Sequence, residues 1–203
     1  MALPSAQPAA EKALIDATIE SIHRHGYADT TVETICSLAD LSRGMIRHCF
    51  KSKDALLVAA YEHVGAEWRA SCQARRERIG APGRTQLDAL ARDMFTNLQP
   101  AEISAWLAYS VAALSVPELR AVNTRLYDEL RRDAAEHFAA AAREAGIALD
   151  AWQTACGFVA LSDGLWLQHL LEPDTMSRAV AIRAGLDFIA NALNAKPECA
   201  PCP

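Results

Sequence analysis

The 203-residue chain contains little glycine and proline, nine of each, and only 6% of its residues are aromatic. No stretch alternates apolar and polar residues as a half-buried strand does, and no segment repeats. Alanine, leucine, arginine and glutamate dominate the middle of the chain, and all four favour helix. The composition therefore predicts an all-α protein, and the helical periodicity of its apolar residues indicates about nine helices.

Signatures of catalysis, metal binding and export are also missing. There is no glycine-rich phosphate loop, no G-x-S-x-G and no set of His, Cys and carboxylate residues at metal-ligand spacing, so we expect neither an enzyme nor a cofactor nor a metal site. Residues 1–8 contain no basic residue and no long apolar run, which predicts a cytoplasmic protein without a signal peptide. Cys199 and Cys202 lack a second ligand pair, and the prolines around them predict that residues 196–203 form a disordered tail.

The segment from Thr31 to Asp54 is the most informative part of the chain. Its apolar residues recur at helical spacing in two short runs. Asp40 lies between the runs, where Asp tolerates a left-handed backbone better than most residues, and Ser42 stands as the N-cap of the second run with a hydroxyl able to accept a backbone amide. Such a motif, spanning residues 31–50, is typical of a helix-turn-helix that places its second helix in the major groove of DNA.

The distribution of charge favours the same interpretation. Residues 41–53 contain four cations and no acid, whereas residues 1–40 contain two cations and six acids. The chain as a whole has a formal net charge of −5, so its positive field is confined to the second helix of the motif and the turn after it. A solvated basic face on an ordinary helical bundle is the competing interpretation.

Residues 39–57, ADLSRGMIRHCFKSKDALL, resemble the DNA-binding signature of the TetR family of repressors. The motif is specific because it fixes many positions together with their spacing. Asp40, Arg47 and Cys49 depart from the family pattern, which changes the expected operator preference rather than the expected fold. The matching residues are Ser42, Gly44, Ile46, Phe50, Ser52, Lys53, Asp54 and Leu56.

The resemblance implies an N-terminal three-helix DNA-binding domain in residues 1–54 and a C-terminal helical domain for ligand binding and dimerisation in residues 55–195. Within the first domain, phosphate contacts position the protein and base contacts give it specificity. Thr31 and Lys53 are expected mainly at phosphates. Arg43 and His48 are expected at base edges, and the other expected DNA contacts are Ser42, Gly44 and Arg47.

The helix predicted from Ala151 to Leu171 carries a single formal charge, Asp163. A helix that is apolar nearly all round is buried on most faces. Its polar residues make membrane insertion expensive, so we expect no membrane span and instead a four-helix bundle formed with the helix at 175–193 and the same two helices of a second subunit. The resulting homodimer presents two recognition helices to a palindromic operator.

Two further stretches, Asp163-Gly164-Leu165-Trp166 and Trp106-Leu107-Ala108-Tyr109, resemble the BetI-like branch of the TetR family. BetI responds to choline, so the resemblance implies a small-molecule inducer that is a choline-like cation. A carboxylate and aromatic faces are a known solution for quaternary ammonium ligands. The candidate ligand residues are therefore Trp106, Tyr109, Asp163 and Trp166, although aromatic residues at helical spacing are more often core packing.

The sequence thus predicts a ligand-released transcriptional repressor that binds double-stranded operator DNA as a dimer and controls choline or glycine-betaine metabolism. Two alternatives stay open. One is a helical dimer that serves as a protein-interaction module, and the other is a transcriptional activator without small-molecule control.

Overall fold

The structure, a computed structural model, describes residues 6–96 and 100–194. These residues form nine α-helices and no strand, which confirms the predicted fold class. The predicted tail at 196–203, with Cys199 and Cys202, lies outside the described residues. The helices are α1 Ala6–His25, α2 Val32–Ala39, α3 Arg43–Phe50, α4 Lys53–Ile79, α5 Arg84–Thr96, α6 Pro100–Ala112, α7 Pro117–Ala145, α8 Ala151–Leu171 and α9 Arg178–Asn194.

Local chemistry sets the ends of the last two helices. α8 has the predicted bounds, and Asp150 caps it by accepting a hydrogen bond from the Gln153 amide at 3.0 Å. α9 begins at Arg178, later than the residue 175 predicted from the sequence. Ser177 precedes it, and the Ser177 side chain accepts from the Val180 amide at 3.4 Å. The four positions after a helix start offer orphan amides, and a serine directly before the start satisfies one of them.

The chain divides into two compact units, each made of two segments. The first unit is Met1–Trp68 with Gln99–Arg125, and the second is Arg69–Leu98 with Leu126–Pro203. Helices α4 and α7 therefore contribute to both units. The predicted DNA-binding domain, residues 1–54, falls within the first unit, and its boundary with a regulatory domain at residue 55 stays a prediction.

The core of the first unit joins α1, α2, α3 and the start of α4. Its apolar side chains come from all four helices, and each one removed from water stabilises the unit by roughly 1.5–3 kcal/mol. Met45 and Phe50 of α3 are partly buried against the same core. α3 is thereby held on its inner face. The buried members of this core are Leu14, Ala17, Ile35, Cys36, Ile46 and Leu56.

In the second unit, aromatic rings and one glycine bring the helices together. Phe158 on α8 lies between Phe138 on α7 and Phe188 on α9, with ring centroids 6.0 and 6.1 Å away. Gly185 faces α5 so closely that a Cβ there would meet the Ala91 Cβ at 3.4 Å. The absence of a side chain at Gly185 therefore lets α9 pack directly on α5.

A buried charge network also holds the second unit. Arg75 is 1% exposed, and its guanidinium lies 2.8 Å from Asp133 on α7 and donates to Gln86 on α5 at 3.3 Å. Burial alone would raise the pKa of Asp133, but the contacts with His137 and Arg76 and the charge of Arg75 outweigh it and lower that pKa to about 2. The carboxylate is therefore charged at neutral pH and ties α4 to α7.

None of the helices in the described ranges combines the length and the apolar character that a bilayer crossing requires.

Candidate DNA-binding surface and ligand site

The corner of the helix-turn-helix has the predicted backbone. Asp40 ends α2 in the left-handed conformation, with φ 51° and ψ 43°, and its amide donates to the Cys36 carbonyl. Ser42 then begins α3 in an extended conformation. Ser42 is the N-cap of α3, as predicted, but its hydroxyl makes no capping hydrogen bond, and Ser42 is exposed. Since the hydroxyl is not used to cap the helix, it is available at the start of the recognition helix.

α3 presents one face to the core and another to solvent. Ile46 is 3% exposed, whereas the predicted contacts Arg43, Gly44, Arg47 and His48 are all exposed. Successive residues of a helix are about 100° apart, so Gly44 and His48 lie on the opposite side of α3 from Ile46 and Arg47 lies at its flank. Arg43 is one turn before Ile46, on the same side, and is exposed at the first position of the helix. Two guanidinium groups and an imidazole therefore project from the outer face of α3.

Arg43 forms an ion pair with Glu33 of α2 at 2.8 Å, and the two side chains are 71% and 57% exposed. A pair this exposed contributes little to stability, because water screens both charges. The ion pair orients the Arg43 side chain in the free protein but holds it weakly. A DNA phosphate or a base edge can therefore replace Glu33 as its partner.

The two residues predicted at phosphates also have structural partners. Thr31 is the N-cap of α2: its hydroxyl accepts from the Thr34 amide at 3.2 Å, and the Thr34 hydroxyl accepts from the Thr31 amide at 3.0 Å. The Lys53 ammonium donates to the Thr30 carbonyl at 3.0 Å. An ammonium has three donors, so Lys53 ties the start of α4 to the turn before α2 and keeps donors for a phosphate.

Trp106 and Tyr109 lie in a packed aromatic cluster of the first unit. Tyr109 stacks on Tyr61 with ring centroids 4.5 Å apart and planes 9° apart, and Trp106 meets Tyr61 edge-on at 5.8 Å. Trp106 is 4% exposed and Tyr109 is 0% exposed. The Tyr109 hydroxyl is buried and has no hydrogen-bond partner among the described residues, and burial raises its pKa well above the usual value. Their role as ligand residues stays a prediction.

Asp163 and Trp166, both in the second unit, turn to different neighbours. The Trp166 indole N–H donates to the Met94 carbonyl at 3.1 Å, and its ring packs edge-on against Phe95. The Asp163 Oδ2 atom accepts from the Tyr127 hydroxyl at 2.9 Å, whereas the Oδ1 atom is buried without a partner among the described residues. Trp166 is therefore used in core packing. Only one of the two carboxylate oxygens of Asp163 has a hydrogen-bond partner among the described residues.

Of Asp163 and Trp166, Asp163 is therefore the better candidate to bind a cation. Burial raises the pKa of Asp163 to about 6, although the Tyr127 hydrogen bond and the charge of Arg131 both oppose the shift. Arg131 itself lies over the Tyr127 ring, 5.4 Å from the ring centroid. Sequence reasoning missed Tyr127, because it lies 36 residues from Asp163 and no local pattern links the two.

Comparison with known proteins identifies the class. Residues 14–60 match the family model described as bacterial regulatory proteins of the tetR family. Residues 82–194 match the model of the C-terminal domain of BetI-type transcriptional repressors. The chain therefore belongs to the TetR family of DNA-binding transcriptional regulators, a family of regulators rather than enzymes. Its C-terminal half is of the BetI type.

Curated relatives and solved structures agree with this assignment. The HTH-type transcriptional regulator BetI of Paraburkholderia xenovorans is 34% identical over 183 residues, which cover 87% of this chain and 89% of that protein. The BetI regulator of Burkholderia thailandensis is 35% identical over 184 residues with the same coverage of both chains. A transcriptional regulator of Pseudomonas aeruginosa PAO1 has a TM-score of 0.81 and 29% identity, covering 94% of this chain and 92% of that chain.

A regulator of Saccharomonospora viridis, solved in complex with choline, shares the fold with a TM-score of 0.81 at 24% identity, covering 90% of this chain and 96% of that one.

Proposed function

We propose that this protein is a dimeric repressor that acts in the cytoplasm, binds a palindromic operator through α3 and is released from DNA by a choline-type cation. The observation that carries the DNA-binding part is the outer face of α3. Arg43, Arg47 and His48 are exposed there, while Ile46 holds the helix on the core. Exposed cations on a recognition helix meet phosphates and base edges in the major groove.

The test is a fluorescence-anisotropy titration with duplex DNA from upstream of the protein's own gene, at two salt concentrations, with scrambled duplex as a control. Arg47→Ala removes one expected contact in each subunit, so affinity should fall and its dependence on salt should flatten. Arg132→Ala is the matched control, because Arg132 is also an exposed arginine, 73% exposed, and lies in the second unit. Equal affinity of Arg47→Ala and the unchanged protein for the operator would remove Arg47 from the expected DNA contacts.

The exposed apolar surface of α8 and α9 supports a dimer. Trp152, Leu167 and Leu171 on α8 are 46%, 48% and 71% exposed, and Val180 on α9 is 45% exposed. Large apolar side chains exposed together on two neighbouring helices are typical of an association surface. A second copy of the same two helices would cover them in a four-helix bundle. Leu171→Glu should therefore shift the protein from dimer to monomer in sedimentation, whereas Val111→Glu on α6 should not.

The half-satisfied carboxylate of Asp163 supports a cationic inducer. A buried acceptor without a partner costs about 1–3 kcal/mol, and an organic cation beside it would recover part of that cost. The S. viridis regulator of the same fold was solved with choline, and the C-terminal half of this chain matches the BetI type. Choline carries a quaternary ammonium for the carboxylate. Arg131 already lies over the Tyr127 ring, 5.4 Å from its centroid, so the proposal rests on the carboxylate and not on this ring.

Choline should lower operator affinity of the unchanged protein in the same anisotropy assay. Asp163→Asn keeps the size of the side chain and removes its charge, so operator affinity should stay the same and the response to choline should disappear. Trp106→Ala tests the aromatic prediction in the same way. A full choline response in Asp163→Asn would contradict the assignment of Asp163, and a full response in Trp106→Ala would return Trp106 to core packing alone.

A further inference from the structure

A groove of about 540 Å³ lies in the first unit, apart from every residue assigned above to DNA or inducer. Three chain segments form it: the turn after α1, the start of α4, and the turn from α6 into the start of α7. Its walls are mostly apolar, with one tyrosine and two carboxylates among them. The lining residues are Tyr27, Asp54, Ala55, Val58, Val116, Glu118 and Leu119.

The two carboxylates of the groove belong to exposed residues and have no partner in the described part of the chain. Neither Asp54 nor Glu118 forms an ion pair or a side-chain hydrogen bond with any residue in the ranges that the structure describes. Each lies in the first turn of a helix, α4 or α7, where the helix dipole favours an acid. The dipoles explain why single acids are tolerated at these positions. They do not explain why both carboxylates line one apolar groove together with an aromatic ring.

Tyr27 connects the groove to a second unsatisfied group. Burial, and then the charge of Asp54, raise the pKa of Tyr27. The Tyr27 ring and the Asp54 carboxylate are therefore close enough to interact in the wall of the groove. The same ring packs edge-on against Tyr109 at 6.0 Å between centroids. The Tyr109 hydroxyl is fully buried without a partner in the described residues. This part of the unit therefore holds polar groups whose partners the described chain does not supply.

We propose that the groove bounded by Tyr27, Asp54 and Glu118 binds an amphipathic organic cation. The carboxylates meet its positive charge, and the Tyr27 ring adds a cation–π contact. Val58, Val116 and Leu119 cover its apolar body. The volume suits a small organic molecule and exceeds what a bare metal ion needs.

The groove shares no residue with the proposed inducer site, and its residues and those around Asp163 belong to different units, whereas the candidate ligand residues Trp106 and Tyr109 lie in the same unit as the groove. It also touches the helix-turn-helix: Tyr27 shortly precedes Thr30, and Asp54 directly follows Lys53, the two residues joined by the hydrogen bond described above. A cation in the groove would thus contact residues that are close in the chain to Thr30 and Lys53, whose hydrogen bond joins the turn before α2 to α4.

The test is isothermal titration of the full-length protein with benzyltrimethylammonium chloride, carried out in the Asp163→Asn background so that the inducer site is silent. Binding should persist in that background and weaken as salt is raised. The double variant Asp54→Asn with Glu118→Gln should lose affinity by about tenfold or more, because both counter-charges are gone. Benzyl alcohol, which is neutral, should bind neither protein.

A second pair of variants guards against effects on folding, since both acids lie at helix starts. Val58→Phe fills the groove without changing its charge and should also abolish binding, whereas Val111→Phe, at a position 68% exposed on α6, should not. Thermal unfolding checks that each variant is folded. Equal affinity in the charge-neutral double variant, or no binding at all once Asp163 is replaced, would overturn the proposal. The second result would leave the inducer site at Asp163 standing.

Discussion

Two arginine–carboxylate pairs in this protein have the same length and opposite surroundings. Arg43 and Glu33, in the first unit, are 2.8 Å apart with side chains 71% and 57% exposed. Arg75 and Asp133, in the second, are also 2.8 Å apart, but their side chains are 1% and 12% exposed. The distance alone therefore says nothing about the role of the pair. Exposure decides whether the arginine is held for structure or is available to a partner.

The buried pair should show the largest effect when it is broken. Arg75→Met removes one of the two arginine partners of Asp133 and leaves Arg76 at 2.6 Å, so the free energy of unfolding should fall by up to about 3–5 kcal/mol. Urea unfolding measures this loss at fixed protein concentration. The double variant Arg75→Met with Asp133→Leu should recover part of the loss, because no buried carboxylate then lacks Arg75 and Arg76 still pairs with Glu136. A loss below about 1 kcal/mol in the single variant would mean that solvent reaches Asp133.

Asp163 provides an intermediate case, a buried carboxylate without a cationic partner. Its pKa is raised from 3.8 to about 6, so folding favours the neutral form. Protonated Asp163 therefore contributes to the free energy of unfolding. This contribution is fully present below pH 3.8 and is lost as pH rises through 6. Asp163→Asn should therefore be more stable than the unchanged protein at pH 7, by up to roughly 2–3 kcal/mol, with no gain at pH 3.5.

Chemical unfolding across this pH range measures the difference, with Asp128→Asn as the control because Asp128 is an exposed carboxylate paired with Arg132. A constant difference between the Asp163→Asn and unchanged proteins from pH 4 to 8 would show that Asp163 keeps an ordinary pKa. The proposed inducer also binds the charged carboxylate, so its affinity should fall below pH 6.

The exposed pair should show a functional effect in place of a structural one. Arg43→Ala should lower operator affinity by about 1–3 kcal/mol if Arg43 reads a base edge, and should relax specificity at one position in each half-site. Its stability should stay within about 0.5 kcal/mol of the unchanged protein. Selection of sites from random DNA measures the relaxed position. Reduced affinity with unchanged specificity would move Arg43 from a base edge to a phosphate.

Glu33→Ala sharpens the comparison with the smallest expected change. The free energy of unfolding should hardly change, since the pair is exposed. Operator affinity should stay equal or rise slightly, because Arg43 no longer has a competing partner and one negative charge leaves the DNA-facing side of α2. A marked fall in operator affinity would show that Glu33 positions Arg43 for DNA and is not a mere competitor.

Sequence reasoning succeeded where local chemistry decides the structure. The left-handed corner at Asp40 depends on neighbours within a few residues, and it was predicted correctly. Ser42 was correctly predicted as the N-cap of α3, but its hydroxyl makes no capping bond, and α9 begins at Arg178 and not at the predicted residue 175. Several residue types compete for a cap position, and the packing of the helix end selects among them.

The sequence by itself determined the helical class, the positions of the helix-turn-helix and the run of cations without an acid in residues 41–53, because periodicity, caps and charge are properties of short segments. Only the tertiary structure decided which side chains are left without partners. The bonds Lys53–Thr30, Tyr127–Asp163 and Arg75–Asp133 join residues 23, 36 and 58 positions apart. Such contacts depend on how helices pack, and burial then sets whether each charge is free, paired or half-satisfied.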